Sequence, residues 1–496
     1  MSKAKNLCVG EATIKLLEQY GVDTVFGIPG VHTLDFCRGL SISNIQHVQA
    51  RNEQGAGFMA DGYARASGRP GVALVISGPG VTNALTAVGQ AYADSIPLLL
   101  LSADAASYTL GKGWGCLHEV PRLTDTTAPL TAMAATATAP GDVPQLIARA
   151  FSIFASERPR PVHIAIPIDV LAMPVNSNWQ AVRLPERPAA SGENIEAACQ
   201  MLRQAKQPMI CVGGGAWRAS ADITRIAEQL GAAVIGSTAG KGIIDDGHPL
   251  SLSAGMVRGE VQAYLNRADV VLAIGTELSE VDRFTDTAEI TGRIIRVDID
   301  GRKMNDLYPA ELPIIADAAS TAKAIADGLA DAKARAETAA EVAAIRKAIL
   351  NNLGGSEPKH CIALDVLRGV LPADTVVMGD VCQIVYTGAF AFDVAAPRLW
   401  HYPAGFCTLG SALPDAIGAK LALPETPVVT FAGDGGFMFT LQELVTAAEL
   451  KLPIPIILWN NDGLKQIQDD MKLRDIPLVG VVGINPDFIA LAQSCH

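Results

Sequence analysis

The stretch FAGDGGF (431–437) sets one carboxylate, Asp434, among three glycines, Gly433, Gly435 and Gly436, directly after the apolar run PVVT. A second apolar run, PIPIILW, ends in Asn460-Asn461-Asp462-Gly463. As neighbouring parallel strands, the two runs would both deliver polar oxygens at their carboxyl ends, the edge of an open α/β sheet where ligands bind. A carboxylate, a side-chain amide oxygen and a turn carbonyl suit a hard cation. Mg2+ completes an octahedral oxygen shell of this kind with phosphate oxygens and water. Gly435 and Gly436 let backbone N–H groups come close to an anion at a helix start, where the helix dipole also helps. The chemistry implied is a Mg2+-bridged diphosphate. Alone, Gly-Asp-Gly-Gly fits a tight turn with a solvated acid equally well; the strand-delivered asparagine pair is what favours the cation. Downstream, Thr440 and Glu443 have capping-box spacing, and Leu441, Leu444, Val445 and Ala448 form one helical face.

Such residues need a parallel sheet to position them, and the chain supplies the pattern. TVFGIPG, IQHVQ, GVALVISGPG, IPLLLLSA and RPVHIAIP read as strands, with TNALTAVGQAYAD and PQLIARAFSIFASE as helices between them. A proline-rich polar stretch at about 172–193 loses periodicity and reads as a linker. A second α/β unit follows in PMICVGGGA, a helix near 220–230, AAVIGSTA, ADVVLAIGTEL and RIIRVDID. The segment ADAKARAETAAEVAAIRKAIL reads as a solvated connecting helix. A third unit begins near 358 and carries TVVMGDVCQ, AGFCTLGSALPDAIGAKLA and the two strands above. The expected fold class is therefore α/β, three doubly wound parallel-sheet domains at 1–172, 193–330 and 355–496. The last of them stops inside a helix, NPDFIALAQSCH, so it is read as C-terminally incomplete.

At 496 residues the chain is long enough for about three domains of about 150 residues. Its formal net charge of −12 argues against an electrostatic nucleic-acid binder. The amphipathic start with its two lysines, Lys3 and Lys5, is not a signal-peptide core, and no apolar run reaches the roughly 18 residues of a membrane span. Nine cysteines without a CxxC pair read as reduced thiols in a cytoplasmic protein, with neither a zinc site nor a disulfide framework.

Gly433-Asp434-Gly435 followed by Asn460-Asn461 resembles the thiamine diphosphate (ThDP) motif of the acetolactate synthase and pyruvate decarboxylase superfamily. The resemblance spans nearly the whole chain, in the order pyrimidine-binding, central Rossmann-like and diphosphate-binding domain. It implies that Asp434, Asn461 and the backbone of Gly463 hold Mg2+, with Gly433, Gly435 and Gly436 against the diphosphate. GDVCQ (379–383) matches the family's second diphosphate contact, placing Val381 and Gln383 at the cofactor; by itself it is an ordinary strand-to-helix turn. In AGFCTLGSALP the family's bulky apolar residue beneath the cofactor corresponds to Leu409, which alone would be read as core. Cys407 stands where close relatives usually carry glycine, whose carbonyl accepts from the aminopyrimidine.

The family also needs a glutamate that bonds the cofactor's ring nitrogen from a poorly solvated pocket, where its pKa rises above the free value of about 4.3. RNEQGAG supplies Glu53, matching the family's pattern except that Asn52 replaces histidine. An ordinary helix-start glutamate is the alternative, since acids favour that position. GPGVTN places Asn83 on the same pyrimidine side. Because Glu53 and Asp434 belong to different domains, the resemblance implies a homodimer or homotetramer with shared active sites.

Members of the family remove CO2 from a 2-oxo acid; protonation then gives an aldehyde, and addition to a second carbonyl gives a carboligation product. The proton relays of the pyruvate and benzoylformate types are absent, since Val31, Ser107-Tyr108 and Ser77 stand at their places. His118 and Glu119 in GWGCLHEV, and His32 in FGIPGVHTLD, remain as candidates, with His118 favoured as catalytic because acetolactate synthases keep glutamine there. ELSE (277–280) at the place of the flavin-associated RFDD signature argues against FAD, and Arg218 breaks a GxGxxG fingerprint in VGGGAWR. The combined motifs look closest to 5-guanidino-2-oxopentanoate decarboxylases. Asp469 and Asp470 could pair a guanidinium bidentately, or could simply be solvated. The expected function is ThDP/Mg2+-dependent decarboxylation of a long basic 2-oxo acid. The alternatives are an acetolactate-synthase-type carboligase and an impaired cofactor-binding relative, the last suggested by Asn52, Cys407 and the end at His496.

Overall fold

The computed structural model describes residues 7–176 and 178–495. Lys3 and Lys5, Ser177 in the expected linker, and His496 lie outside the described residues. The chain forms two compact units: one runs to Glu186 and resumes at Gly405, and the other is Arg187–Ala404.

In the first unit, strands β1 (Thr24–Gly27), β2 (Gln46–Gln49), β3 (Gly71–Val75), β4 (Leu98–Asp104), β5 (Met133–Thr136) and β6 (Val162–Pro167) form one parallel sheet. Their order is β2-β1-β3-β4-β6-β5. The apolar runs are buried on both faces, as a sheet covered on both sides requires. Leu99, Leu101 and Ile164 enter one core, while Leu98, Leu100 and Ala165 enter the other. This is the strand period of two dividing one sequence between two hydrophobic layers. In the same unit β14 (Val428–Gly433) and β15 (Ile456–Trp459) pair in parallel, with Gly433 opposite Trp459.

The second unit holds β7 (Pro208–Val212), β8 (Ala233–Gly236), β9 (Val270–Ile274), β10 (Arg293–Asp298) and β11 (Leu312–Ile315), ordered β11-β10-β9-β7-β8 and all parallel. Ile210 and Leu272 face one core and Cys211 and Val271 the other. It also contains the parallel pair β12 (Val376–Gly379) and β13 (Trp400–His401). Strands β5, β11 and β13 escape sequence reading: β13 has two residues, and the four-residue β5 (MAAT) and β11 (LPII) lack an unbroken β-branched apolar run. The connecting helix begins only at Thr338 and is not fully solvated, because Val342 and Ile349 are buried in a core.

Helix Glu53–Ser67 begins at an N-cap, Asn52, whose Oδ1 accepts from Gln54 N at 2.8 Å. It packs on helix Ala412–Ala422 at backbone contact. A Cβ on Gly62 would stand 2.1 Å from the Asp415 carbonyl oxygen, and one on Gly418 would stand 1.9 Å from that of Met59. Only glycine permits so close an approach. Helix Glu53–Ser67, which starts with the candidate acid, is thus seated on the helix that follows Leu409.

Candidate cofactor and metal site

Strands β14 and β15 end side by side, so Asp434 and the loop Asn460–Gly463 meet at one sheet edge. Asp434 is buried, and its Oδ2 accepts from Gly463 N at 2.9 Å and from Asn485 Nδ2 at 2.7 Å. One end of the Asn461 amide lies 3.2 Å from Asp434 Oδ1 and 2.8 Å from the Gly463 carbonyl oxygen. Only acceptors surround that end. It is therefore either the NH2 group donating to both oxygens, or the amide oxygen completing a triad of oxygens around a cation. The donor set fits Mg2+. Among the described residues no cluster of three His, Cys, Asp or Glu side chains is arranged for a metal, so a cation here depends on the amide and the carbonyl. Gly433 ends β14, and Gly435 and Gly436 lie in the short helical turn Asp434–Phe437. Sequence reading missed Asn485. It occupies one Asp434 oxygen and also donates to Asn460 Oδ1 at 3.0 Å, leaving Oδ1 of Asp434 toward Asn461.

The second cluster lies where the strand order of the first sheet reverses, between β1 and β3, the switch point at which doubly wound sheets bind ligands. Asn83 Nδ2 donates to Glu53 Oε2 at 2.9 Å, joining the starts of helices Glu53–Ser67 and Pro79–Ala93. His32 Nδ1 and Ser77 Oγ share a hydrogen bond of 2.6 Å, and the rings of His32 and His118 meet edge-on at 5.3 Å. Burial, and then the neighbouring His118, hold the His32 imidazole below its ordinary pKa. Glu53, Asn83, His32 and His118 all follow carboxyl ends or loops on this side of the unit. They are the kind of groups that bind, orient and move protons.

Other expected residues have local work. The Glu119 carboxylate accepts from Gly113 N at 3.1 Å, Gly115 N at 2.7 Å and Cys116 N at 3.0 Å, so it shapes the loop that presents His118. Asp469 is paired with Lys465 and Asp470 accepts from Gln466 Nε2 at 3.3 Å, within one helix. Cys407 is exposed with φ +58°, and Leu409 is half-buried. Val381 and Gln383 belong to the second unit, after β12, where Asp380 Oδ1 accepts from Val381 N at 2.7 Å.

Two readings need correction. Thr440 and Glu443 are not a capping box: Thr440 Oγ1 donates to the Gly410 carbonyl at 2.6 Å. Glu443, fully buried, accepts from Arg51 N at 3.0 and 3.2 Å, Asn52 N at 3.1 Å and Thr446 Oγ1 at 2.8 Å. Burial pushes its carboxyl above the ordinary range. It therefore braces the turn leading into Glu53, and Val445 is exposed rather than part of the packed face. ELSE is also not the best counterpart of RFDD, since Arg283-Phe284-Thr285-Asp286 shares three of the four letters. Arg283 is buried and donates to the carbonyls of Leu278, Ser279, Thr285 and Asp286, tying that loop to itself.

The chain belongs to the thiamine pyrophosphate enzyme family. The match covers the N-terminal TPP binding domain over residues 8–126, the central domain over 195–325 and the C-terminal TPP binding domain over 380–496. Among its relatives is the "Probable 2-ketoarginine decarboxylase AruI" of Pseudomonas aeruginosa. It is 49% identical over 498 residues, which span 100% of this chain and 89% of that protein. The acetolactate synthase large subunit of Corynebacterium glutamicum is 32% identical over 97% of this chain and 80% of its own length. Acetolactate synthase isozyme 3 large subunit of Escherichia coli is 31% identical over 98% and 88%. No helix among the described residues is long and apolar enough to cross a membrane.

Proposed function

We propose that the protein is a Mg2+-dependent decarboxylase of a 2-oxo acid, and that its substrate is 5-guanidino-2-oxopentanoate, the 2-oxo acid of arginine. The observation that carries the cofactor reading is the Asn461 amide end that faces only Asp434 Oδ1 and the Gly463 carbonyl. The substrate follows from the 49% likeness to a protein named for 2-ketoarginine.

When bound, thiamine diphosphate supplies the carbon nucleophile and takes up the electrons left by departing CO2. The protein's residues do the rest. Asp434, Asn461 and the Gly463 carbonyl would hold Mg2+, and Gly435 and Gly436 leave room for diphosphate oxygens. Glu53, held by Asn83, would bond the pyrimidine ring and hold its proton there. His118 would protonate the product carbon at the end of the reaction, beside His32. Glu119 keeps the His118 loop in shape. Asp469 already pairs with Lys465, so a guanidinium must compete with that ammonium to use it. No flavin is part of this reading. Glu53 and Asp434 both lie in the first unit; sharing of sites between two subunits is proposed from the family likeness, with a dimer as the working unit.

The test is CO2 release across a panel of 2-oxo acids with thiamine diphosphate and Mg2+, with the carbon products identified. Release from 5-guanidino-2-oxopentanoate together with the matching aldehyde supports the reading. Acetolactate from pyruvate alone would replace it with the carboligase. Cofactor binding with no CO2 from any acid would replace it with the impaired relative.

A further inference from the structure

Cys407 holds a left-handed backbone, φ +58°, that costs a side-chain-bearing residue about 1–2 kcal/mol and persists only where its surroundings enforce it. The surroundings here are specific. Two residues before it, Gly405 N donates to Asp94 Oδ1 at 2.7 Å, and a Cβ on Gly405 would come within 2.7 Å of that same oxygen. One residue after it, Thr408 N and Oγ1 donate to Gln90 Oε1 at 3.2 and 2.9 Å. Gln90 is fully buried on helix Pro79–Ala93, and its Nε2 donates to Asp94 Oδ2 at 2.7 Å. Arg65 Nη2 fixes the same Oδ2 at 2.8 Å while its Nε holds Asp61 at 2.5 Å. Every polar group of the Gln90 amide is thus spent on this bracket or on orienting its other arm.

We infer that Gln90 and Asp94 are positioning residues for the cofactor: a clamp that brackets Cys407, keeps its backbone left-handed and so presents its carbonyl to the aminopyrimidine. The inference rests on the cofactor reading above for what the carbonyl meets, but the clamp itself is a property of the free protein. It also explains how cysteine is tolerated where close relatives usually carry glycine. Glycine adopts the left-handed region at no steric cost, whereas cysteine needs to be held there. The clamp and the cysteine should therefore be energetically coupled, which a double-mutant cycle measures.

The experiment compares wild type, Gln90→Met, Cys407→Gly and the double variant by calorimetric titration with thiamine diphosphate and MgCl2. The amide exchange of Thr408 is followed in the same proteins without cofactor. Gln90→Met is expected to weaken cofactor binding about tenfold, since the two bonds to Thr408 and the one to Asp94 are all lost. In the Cys407→Gly background the same change should cost about twofold, because no strain remains to be released. Thr408 amide exchange should quicken about tenfold in Gln90→Met without any ligand present. Thr408→Val, which removes only the hydroxyl arm of the clamp and keeps the Thr408 N–H bond to Gln90, gives a milder weakening of about threefold and guards against a folding defect in Gln90→Met. Equal losses in the cysteine and glycine backgrounds, or unchanged binding with unchanged exchange, would overturn the clamp. If wild type itself does not bind the cofactor, the cofactor reading fails, and the exchange of Thr408 still decides whether the clamp exists.

Discussion

Replacing Glu443 by alanine should loosen the turn that leads into Glu53. The carboxylate accepts from Arg51 N and Asn52 N and from the Thr446 hydroxyl. With the side chain gone, two backbone N–H groups lose their acceptor in a part-buried setting, about 1 kcal/mol each at the low end of the range for orphaned donors. The local opening free energy should fall by about 2 kcal/mol, or about 30-fold in exchange rate at the Arg51 and Asn52 amides. Hydrogen exchange read by NMR or mass spectrometry on the peptide around these residues is the assay, since a chain with two compact units need not unfold in one step. Glu443→Gln keeps one acceptor oxygen and should show a smaller change. Unchanged exchange at both amides in Glu443→Ala would refute the bracing role, and the buried carboxylate would then need another explanation.

Two further outcomes follow from buried ionisable groups. His163 is fully buried between the hydroxyls of Ser102 and Thr127, and burial pushes its imidazole down to about 3. The unfolded chain takes up this proton below about pH 6.5 and the fold refuses it until about 3, so stability falls by about 1.4 kcal/mol per pH unit across that window. His163→Gln should flatten the fall of the melting temperature between pH 6 and 4, and parallel curves for the two proteins would contradict this. Lys241 Nζ donates to Asp246 Oδ2 and Ser253 Oγ, both at 2.6 Å, in a fully buried pair. Lys241→Met strands the carboxylate and should destabilise the second unit by about 3–5 kcal/mol. The double variant with Asp246→Asn should recover part of the loss in a thermal melt.

What the sequence reveals follows how local each cause is. The strand runs Leu98–Leu101 and Val270–Ile274 are visible because burial on both faces writes itself as an unbroken apolar run. Asp434 and Asn461 stand out because two neighbouring strand ends deliver them together, whereas Glu53 and Asn83, for which a helix start is a sufficient local cause, emerge only through the family resemblance. Glu443 misleads for the opposite reason. Its spacing from Thr440 satisfies a local rule, yet its partners, Arg51 and Asn52, lie far away in the sequence and only the fold brings them together. Glu119 and Asp469 look free in a string of letters, while a loop's own N–H groups and a lysine one helical turn away engage them. Asn52 reads as a departure from a family pattern, but it is a favoured N-cap and performs that role. Asn485 lies in a segment without periodicity, and nothing in its neighbours marks it before the chain folds back on Asp434.

The most direct measurement is calorimetric titration of wild type and Asp434→Ala with thiamine diphosphate, with and without Mg2+. The oxygen triad of Asp434, Asn461 and Gly463 predicts saturable binding that requires Mg2+ and is lost in Asp434→Ala. Tight binding that persists without a divalent cation, or that survives in Asp434→Ala, would contradict it.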